Sequence, residues 1–163
     1  MCEDRRMMTW AELASAAPEL AALGREHIEA DELVMLGTIK RDGSPRISPV
    51  EPDFVDGELM AGMMWRSTKA LDLLRDPRCM ILNAIGDRHD LTGEFKLVCR
   101  ARDVTAPDQR ERYGQTIQAR LDWRPTGDFH IFAFDIERAW WFRYTGHDDG
   151  EGQRETLRGP PDV

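Results

Sequence analysis

The sequence predicts a mainly β protein with short helices, built as a six- to seven-stranded antiparallel barrel that is closed or split along one side. Short strand-like segments follow one another through tight turns, as expected of hairpins and not of βαβ units. Asp42-Gly43 and Asp56-Gly57 mark two of these turns, because Asp-Gly pairs tolerate positive φ. A barrel suits so many short strands because it leaves few edges unpaired.

The N-terminal segment is predicted to be helical from Thr9 to Ala30. Thr9 is a suitable N-cap, and Glu12 stands three residues later at the spacing of a capping box. Leu13 and Leu20 begin an apolar stripe with helical spacing. Pro18 and Gly24 are candidate interruptions of this helix.

Three strands joined by hairpins are predicted next, and they form an antiparallel meander over residues 33–40, 46–55 and 58–64. The second of them contains Pro49 and Pro52, which restrict it to an edge, a bulge or a bent end. Ser67 to Asp76 then reads as a short helix that ends before Pro77.

The second half of the chain is predicted to supply the remaining strands and a third helix. A nearly continuous apolar run over 78–85 indicates burial on both faces, and an alternating run over 94–104 indicates burial on one. The other segments are a polar loop over 86–92, a helix that begins at Pro107, two strands over 129–136 and 139–144, and a polar tail over 146–163 that we expect to be partly mobile.

The length and composition of the chain argue against several classes of function. With 163 residues, 41% of them hydrophobic, the chain has the size of one domain, so residues 1–163 are predicted to form a single unit. A net charge of -8 argues against general binding to nucleic acid or to anionic membranes. Three distant cysteines argue against a disulfide framework or a zinc ribbon. With no apolar leader visible, we expect a cytoplasmic protein.

A local basic cluster stands out in this acidic chain. Arg66, Ser67, Thr68 and Lys69 lie at the predicted start of the 67–76 helix, where free backbone N–H groups and the helix dipole attract anions. Arg46, on the second strand, is a candidate further contact if it points inward, where it would need an anionic partner. The spacing alone equally allows a plain Ser N-cap between solvated charges.

The order of several short motifs resembles the pyridoxamine-phosphate-oxidase-like family of FMN-binding split barrels. The resemblance covers roughly residues 10 to 145 and rests on motifs at 43–50, 56–59, 67–73 and 76–78. It implies a homodimer with two cofactor sites at the subunit interface. It also implies a flavin or, in some branches, a deazaflavin or haem as the ligand.

The resemblance further implies a cofactor site on two strands and one helix start. Arg46 matches the phosphate contact on the second strand, and Ile47 and Ser48 match the backbone beside the flavin ring. Met63 and Met64 match the strand end beside the ring and ribityl chain. Ser67 and Lys69 match the phosphate-binding pair. Thr68 stands where a second basic residue is frequent, and Arg66 carries that charge two positions earlier.

Trp140 and Trp141 form the other notable pair. Adjacent strand residues point to opposite faces, so only one of these rings can pack inside a barrel. We include Trp141 among the candidate cofactor contacts, with core packing or a dimer contact as the competing interpretation.

The leading functional hypothesis is an FMN-dependent oxidoreductase that acts on a small molecule. True pyridoxamine phosphate oxidase activity is not expected, because the C-terminal substrate-binding pattern is missing. No catalytic residue is assigned, and no two histidines have the spacing of a metal site. A deazaflavin (coenzyme F420) reductase and a non-catalytic ligand-binding or ligand-free barrel stay open as alternatives. Haem ranks third, with Met63, Met64 and His89 as conceivable ligands.

Overall fold

The computed structural model describes residues 7–83, 93–145 and 153–159. The predicted 86–92 loop and most of the 146–163 tail lie outside these ranges. Four helices and eight strands are present in the described part of the chain, in the order α1 Trp10–Ala16, α2 Pro18–Asp31, β1 Val34–Ile39, β2 Pro45–Val50, β3 Pro52–Val55, β4 Glu58–Met64, α3 Thr68–Arg75, β5 Arg78–Asn83, β6 Glu94–Asp103, α4 Pro107–Leu121, β7 Phe129–Thr145 and β8 Gln153–Arg158.

The N-terminal segment is two helices, which confirms Pro18 as an interruption of the helix predicted over 9–30. Pro18 occupies the first turn of α2, where its missing N–H costs nothing, and the chain bends at Ala17 before it. The capping box of Thr9 and Glu12 is confirmed in both directions. Gly24 does not interrupt α2, and the Phe95 ring packs where a Cβ at this position would lie.

The strands form an antiparallel sheet in the order β2-β1-β5-β6-β7-β4-β3, with β8 on the outer part of β7. The two edge strands, β2 and β3, are separated in sequence only by Glu51. The sheet must therefore curl until its edges approach, which gives the open half-barrel of a split-barrel fold. The break at Glu51 confirms the predicted bent end between Pro49 and Pro52.

β7 is one 17-residue strand and not the two predicted strands. Its pairing with β6 shifts between Val98 and Cys99, which leaves Glu137 as an extra residue. This β-bulge exchanges the faces to which odd and even residues point. As a result Ile136 and Trp141 both lie in the core, and Trp140 is only half-buried. The tail also contributes β8, which the sequence analysis missed.

The core consists of two clusters, one on each face of the sheet. The larger one fills the half-barrel beneath α1 and α2. The smaller one lies between the sheet and α4, around Met60, Tyr113 and Ile131. β5 alternates between buried and exposed residues, with Met80 38% exposed, so its predicted burial on both faces is wrong.

The cysteines of the sheet are structural. Cys79 and Cys99 lie directly opposite each other on β5 and β6, and both are buried. Burial raises the pKa of the Cys79 thiol to about 12. Among the helices of the described part, none combines the length and the apolar content needed to cross a membrane.

Candidate functional site

A cavity of about 630 Å³ opens where the two edges of the curled sheet approach each other. Its walls are the β2–β3 junction, the end of β4, and α4 with the segment that follows it. It includes Glu51, the single residue between the edge strands, and Lys69 from the first turn of α3. Its size falls within the range of small-molecule pockets. We call this space the junction cavity.

The start of α3 supplies a cation and an unused hydroxyl beside this cavity. Lys69 Nζ donates to the Pro49 carbonyl at 2.9 Å, and partial burial lowers the pKa of the ammonium group. Ser67 is the N-cap of α3, but its side chain makes no capping hydrogen bond. Among the described residues its Oγ is a buried atom without a partner. The first turn of α3 contains no acidic residue that would satisfy these groups.

Arg46 has a protein partner instead. Its Nε donates to Asp72 Oδ2 at 2.7 Å, and Asp72 is 4% exposed beneath α3. Thr38 Oγ1 donates to the same carboxylate at 3.1 Å, and Arg75 Nη2 donates to it at 3.3 Å. Burial alone would raise the pKa of Asp72, but the three hydrogen-bond donors together lower it. The anionic partner expected for an inward Arg46 is thus Asp72.

The end of β4 places aromatic and sulfur-containing groups at the cavity mouth. Met63 is buried, while Met64 is 78% exposed and Trp65 is 53% exposed. The Trp65 ring stacks on the His130 imidazole, with centroids 4.5 Å apart and an interplanar angle of 12°. His130 is buried, and its Nε2 has no hydrogen-bond partner among the described residues. Arg66, at φ 54°, then turns the chain sharply into α3.

The opposite wall contains an ion pair that the sequence analysis did not find. Arg120 holds Asp53 in a forked pair, with Nε–Oδ1 at 2.9 Å and Nη2–Oδ2 at 3.3 Å, and Glu51 Oε2 lies 3.5 Å from Arg120 Nη2. Asp53 is 5% exposed, and burial raises the pKa of its carboxyl against the opposing effect of Arg120. Burial also raises the pKa of Tyr113, whose hydroxyl lies against Gly62.

The structure brings together only part of the predicted site. Lys69, Met63 and Met64 line the junction cavity. Ser67 and Thr68 begin the same turn of α3 as Lys69, and Arg66 lies in the tight turn just before it. Ile47 is 69% exposed and Ser48 is half-buried on β2, close to Pro49 but not in the cavity wall.

The two remaining predicted contacts lie elsewhere. Arg46 belongs to the Asp72 cluster described above. Trp141 packs in the main core, 3% exposed, and its Nε1 donates to His27 Nε2 at 3.3 Å. Core packing, the competing interpretation of the tryptophan pair, therefore describes the position of Trp141.

A family model described as pyridoxamine 5'-phosphate oxidase matches residues 21–142. The chain belongs to the pyridoxamine-phosphate-oxidase-like family. The matched segment contains β1 to β6, α3, α4 and most of β7, so it spans all walls of the junction cavity. No curated protein matches the chain.

Solved structures of low sequence identity share the fold. A conserved hypothetical protein from Mycobacterium tuberculosis aligns with a TM-score of 0.63 and 23% identity, over 72% of this chain and 81% of that one. A protein of the pyridoxinephosphate oxidase family from Clostridium acetobutylicum aligns at 0.59 and 16%, over 86% and 96%. A haem-binding protein from Mycobacterium smegmatis aligns at 0.59 and 20%, over 85% of this chain but only 58% of that one.

The family usually binds flavin, and the chemistry of the junction cavity fits such a ligand. An anionic group suits the Ser67 hydroxyl, the Lys69 ammonium and the free N–H groups of α3. A flat apolar ring suits the walls beyond them, at Val50, Met64 and Trp65. Lys69 at the start of α3 has no acidic partner among the described residues, whereas Arg46 already contacts Asp72.

Proposed function

We propose that this protein is an FMN-binding oxidoreductase acting on a small molecule. The observation that carries the proposal is the Lys69 ammonium group, which lines the cavity at the start of α3. Two residues earlier, the Ser67 Oγ is buried and has no hydrogen-bond partner among the described residues. A buried hydroxyl without a partner costs free energy, so its retention beside a cation favours a ligand that satisfies both. The family match supports a flavin phosphate as that ligand.

Each part of the site has a distinct task in this proposal. Ser67, Thr68 and Lys69 hold the phosphate with the help of the α3 dipole. Val50, Met64 and Trp65 exclude water from the ring and fix its orientation. The flavin supplies the redox chemistry when it is bound. No proton donor is assigned on the protein, in line with the unassigned catalytic residue of the sequence analysis.

Haem binding is the second candidate, and the His130 imidazole is the observation that favours it. Its Nε2 is buried without a hydrogen-bond partner among the described residues, as an axial ligand would be before haem binds. Trp65 covers this ring, however, so ligation through His130 requires Trp65 to move. A fold neighbour described as haem-binding gives the same candidate a further, weaker support. Coenzyme F420 shares the phosphate and ring chemistry of FMN, and only titration separates the two.

The first test is the absorbance spectrum of the purified protein, followed by titration with FMN, F420 and haemin. Saturable sub-micromolar FMN binding, with flavin fluorescence quenched, is the expected result. Preference for F420 would replace the cofactor but keep the phosphate site. Tight haemin binding that His130→Ala abolishes, with no flavin binding, would overturn the proposal in favour of haem.

A homodimer is the second part of the proposal. Ile47, Met64 and Trp65 expose large apolar side chains close to the cavity, and such surfaces are typical of interfaces. Light scattering at micromolar concentration should give twice the monomer mass. Met64→Glu should produce monomers and weaken FMN binding, whereas Leu74→Glu, an equally drastic change of an exposed α3 residue, should do neither. A monomeric wild-type protein would exclude the interface site.

A further inference from the structure

Charged side chains line the junction cavity from two sides. Lys69 comes from α3, and on the side of α4 the cation is Arg120. Arg120 is not available to a ligand as an unpaired charge, since Asp53 neutralises it in a forked pair and Glu51 lies 3.5 Å from it. Asp128 adds a third carboxylate to the cavity lining. We call the part of the cavity between α4 and the β2–β3 junction the α4 compartment.

Charge and polarity in the α4 compartment define what it can accept. Three carboxylates against one guanidinium leave a surplus of negative charge there. The remaining surface is apolar and partly aromatic, with Ile117, Leu121 and Trp123 in the wall. An anionic ligand would lose its hydration without gaining a free cation, and it would face like charges.

The geometry points to a substrate class: a flat apolar molecule, uncharged or cationic, that binds in the α4 compartment beside the flavin. The ligand is a substrate only if the proposed function holds, because the flavin phosphate is then bound on the Lys69 side of the cavity. The charge selection rests on the walls alone. Carboxylates placed against an anionic competitor give specificity by repulsion as well as by attraction.

Matched naphthalene probes test the class directly by isothermal titration calorimetry. The neutral probe is 2-naphthol, the anion is naphthalene-2-sulfonate, and the cation is trimethyl(2-naphthyl)ammonium. They are titrated into FMN-saturated protein and into flavin-free Lys69→Gln protein, in which the competing anion site has been removed. The neutral and cationic probes should bind at least about tenfold more tightly than the sulfonate in both.

Two variants locate the binding and its cause. Glu51→Gln with Asp128→Asn should strengthen sulfonate binding and weaken cation binding, each by about fivefold, the size of a close charge pair near water. Glu19→Gln with Asp31→Asn makes the same change of net charge on α2 and should alter neither. Leu121→Trp should block all three probes by filling the compartment, whereas Leu74→Trp, on the exposed side of α3, should block none.

The possible results separate this inference from the proposed function. Equal binding of sulfonate and naphthol, or binding that Leu121→Trp leaves unchanged, would overturn the α4 compartment. Absence of binding by every probe would overturn it as well. If FMN does not bind but the flavin-free protein shows the expected order, the cofactor assignment fails and the charge-selective site stands.

Discussion

Helix α3 places charged groups in two settings that differ in how completely the protein itself satisfies them. Beneath the helix, Asp72 receives hydrogen bonds from Arg46, Thr38 and Arg75, and the cluster is closed. At its start, within the part of the chain that the structure describes, Lys69 donates to the Pro49 carbonyl and the Ser67 hydroxyl has no hydrogen-bond partner. A closed cluster serves stability, whereas an incomplete one beside a cavity is suited to a ligand. Similar residue types on one helix thus have different roles.

The largest effect should come from opening the closed cluster. Asp72→Ala removes the carboxylate and leaves Arg46, whose side chain is only 29% exposed, without its anion. We expect a loss of about 3–5 kcal/mol in the free energy of unfolding, typical of breaking a buried pair. Chemical denaturation measures it. Asp103→Asn, at the exposed end of β6, is the control and should change stability by less than about 0.5 kcal/mol. Similar stabilities for the two variants would show that the cluster is not structural.

The incomplete site should respond in binding and not in stability. Lys69→Gln removes the cation but keeps a side chain able to reach the Pro49 carbonyl. FMN affinity should fall about 10- to 100-fold, as expected for the loss of a charge-assisted contact. Fluorescence titration measures the affinity, and thermal unfolding should stay nearly unchanged. Lys40→Gln, on the turn after β1, is the control; equal losses in both variants would refute a specific phosphate contact.

Acid should weaken the closed cluster. The pKa of Asp72 is lower in the folded protein than its ordinary value of 3.8. The ionised carboxylate therefore stabilises the fold at pH values above 3.8, and this contribution is lost as the pH falls through the pKa of the folded state. Unfolding free energy measured between pH 6 and pH 2.5 should therefore decline. In Asp72→Asn the decline should be shallower. Parallel curves for the two proteins would assign the acid sensitivity to other carboxylates.

Ser67→Ala gives a smaller effect with opposite signs in the two assays. Because the buried Ser67 hydroxyl has no hydrogen-bond partner among the described residues, its removal should leave the flavin-free protein equally stable or more stable by up to about 1 kcal/mol. The same change should weaken FMN binding severalfold. A loss of stability without any effect on binding would mean that the hydroxyl serves the fold.

Thr38→Val should give the smallest change. It keeps the shape of the side chain and removes one of the three donors to Asp72. Because Arg46 and Arg75 remain, we expect a loss of about 1 kcal/mol in unfolding free energy and unchanged FMN affinity. A loss as large as that of Asp72→Ala would make Thr38 the main support of the cluster.

Local signals predicted most of the fold. Three predictions that depend only on neighbouring residues are confirmed: the Thr9 cap, the Asp42-Gly43 turn and the bend between Pro49 and Pro52. The charged residues Glu137 and Arg138 separate the two predicted strands, whereas the long pairing with β6 keeps β7 continuous. β8 is too polar to be recognised without the partner strand that satisfies its backbone.

The candidate site was predictable only where its residues are close in sequence. Lys69 and Ser67 were found because they share one turn of helix. The carboxylate that holds Arg46 is 26 residues away, and Asp53 and Arg120 are 67 residues apart. Neither pairing follows from spacing, because each depends on how the sheet curls. The role of Arg46 as a phosphate contact stays a prediction, now with a competing partner.

The bulge at Glu137 makes the length of β7 as important as its composition. Before the bulge even-numbered residues such as Ile136 face the core, and after it odd-numbered residues such as Trp141 do. Deleting Glu137 would therefore keep nearly every side chain but exchange the positions of Trp140 and Trp141. A relative that gains or loses one residue here would need apolar residues at the alternate positions along half of the strand. Single-residue length changes at this point should thus be rarer in evolution than substitutions of Glu137 itself.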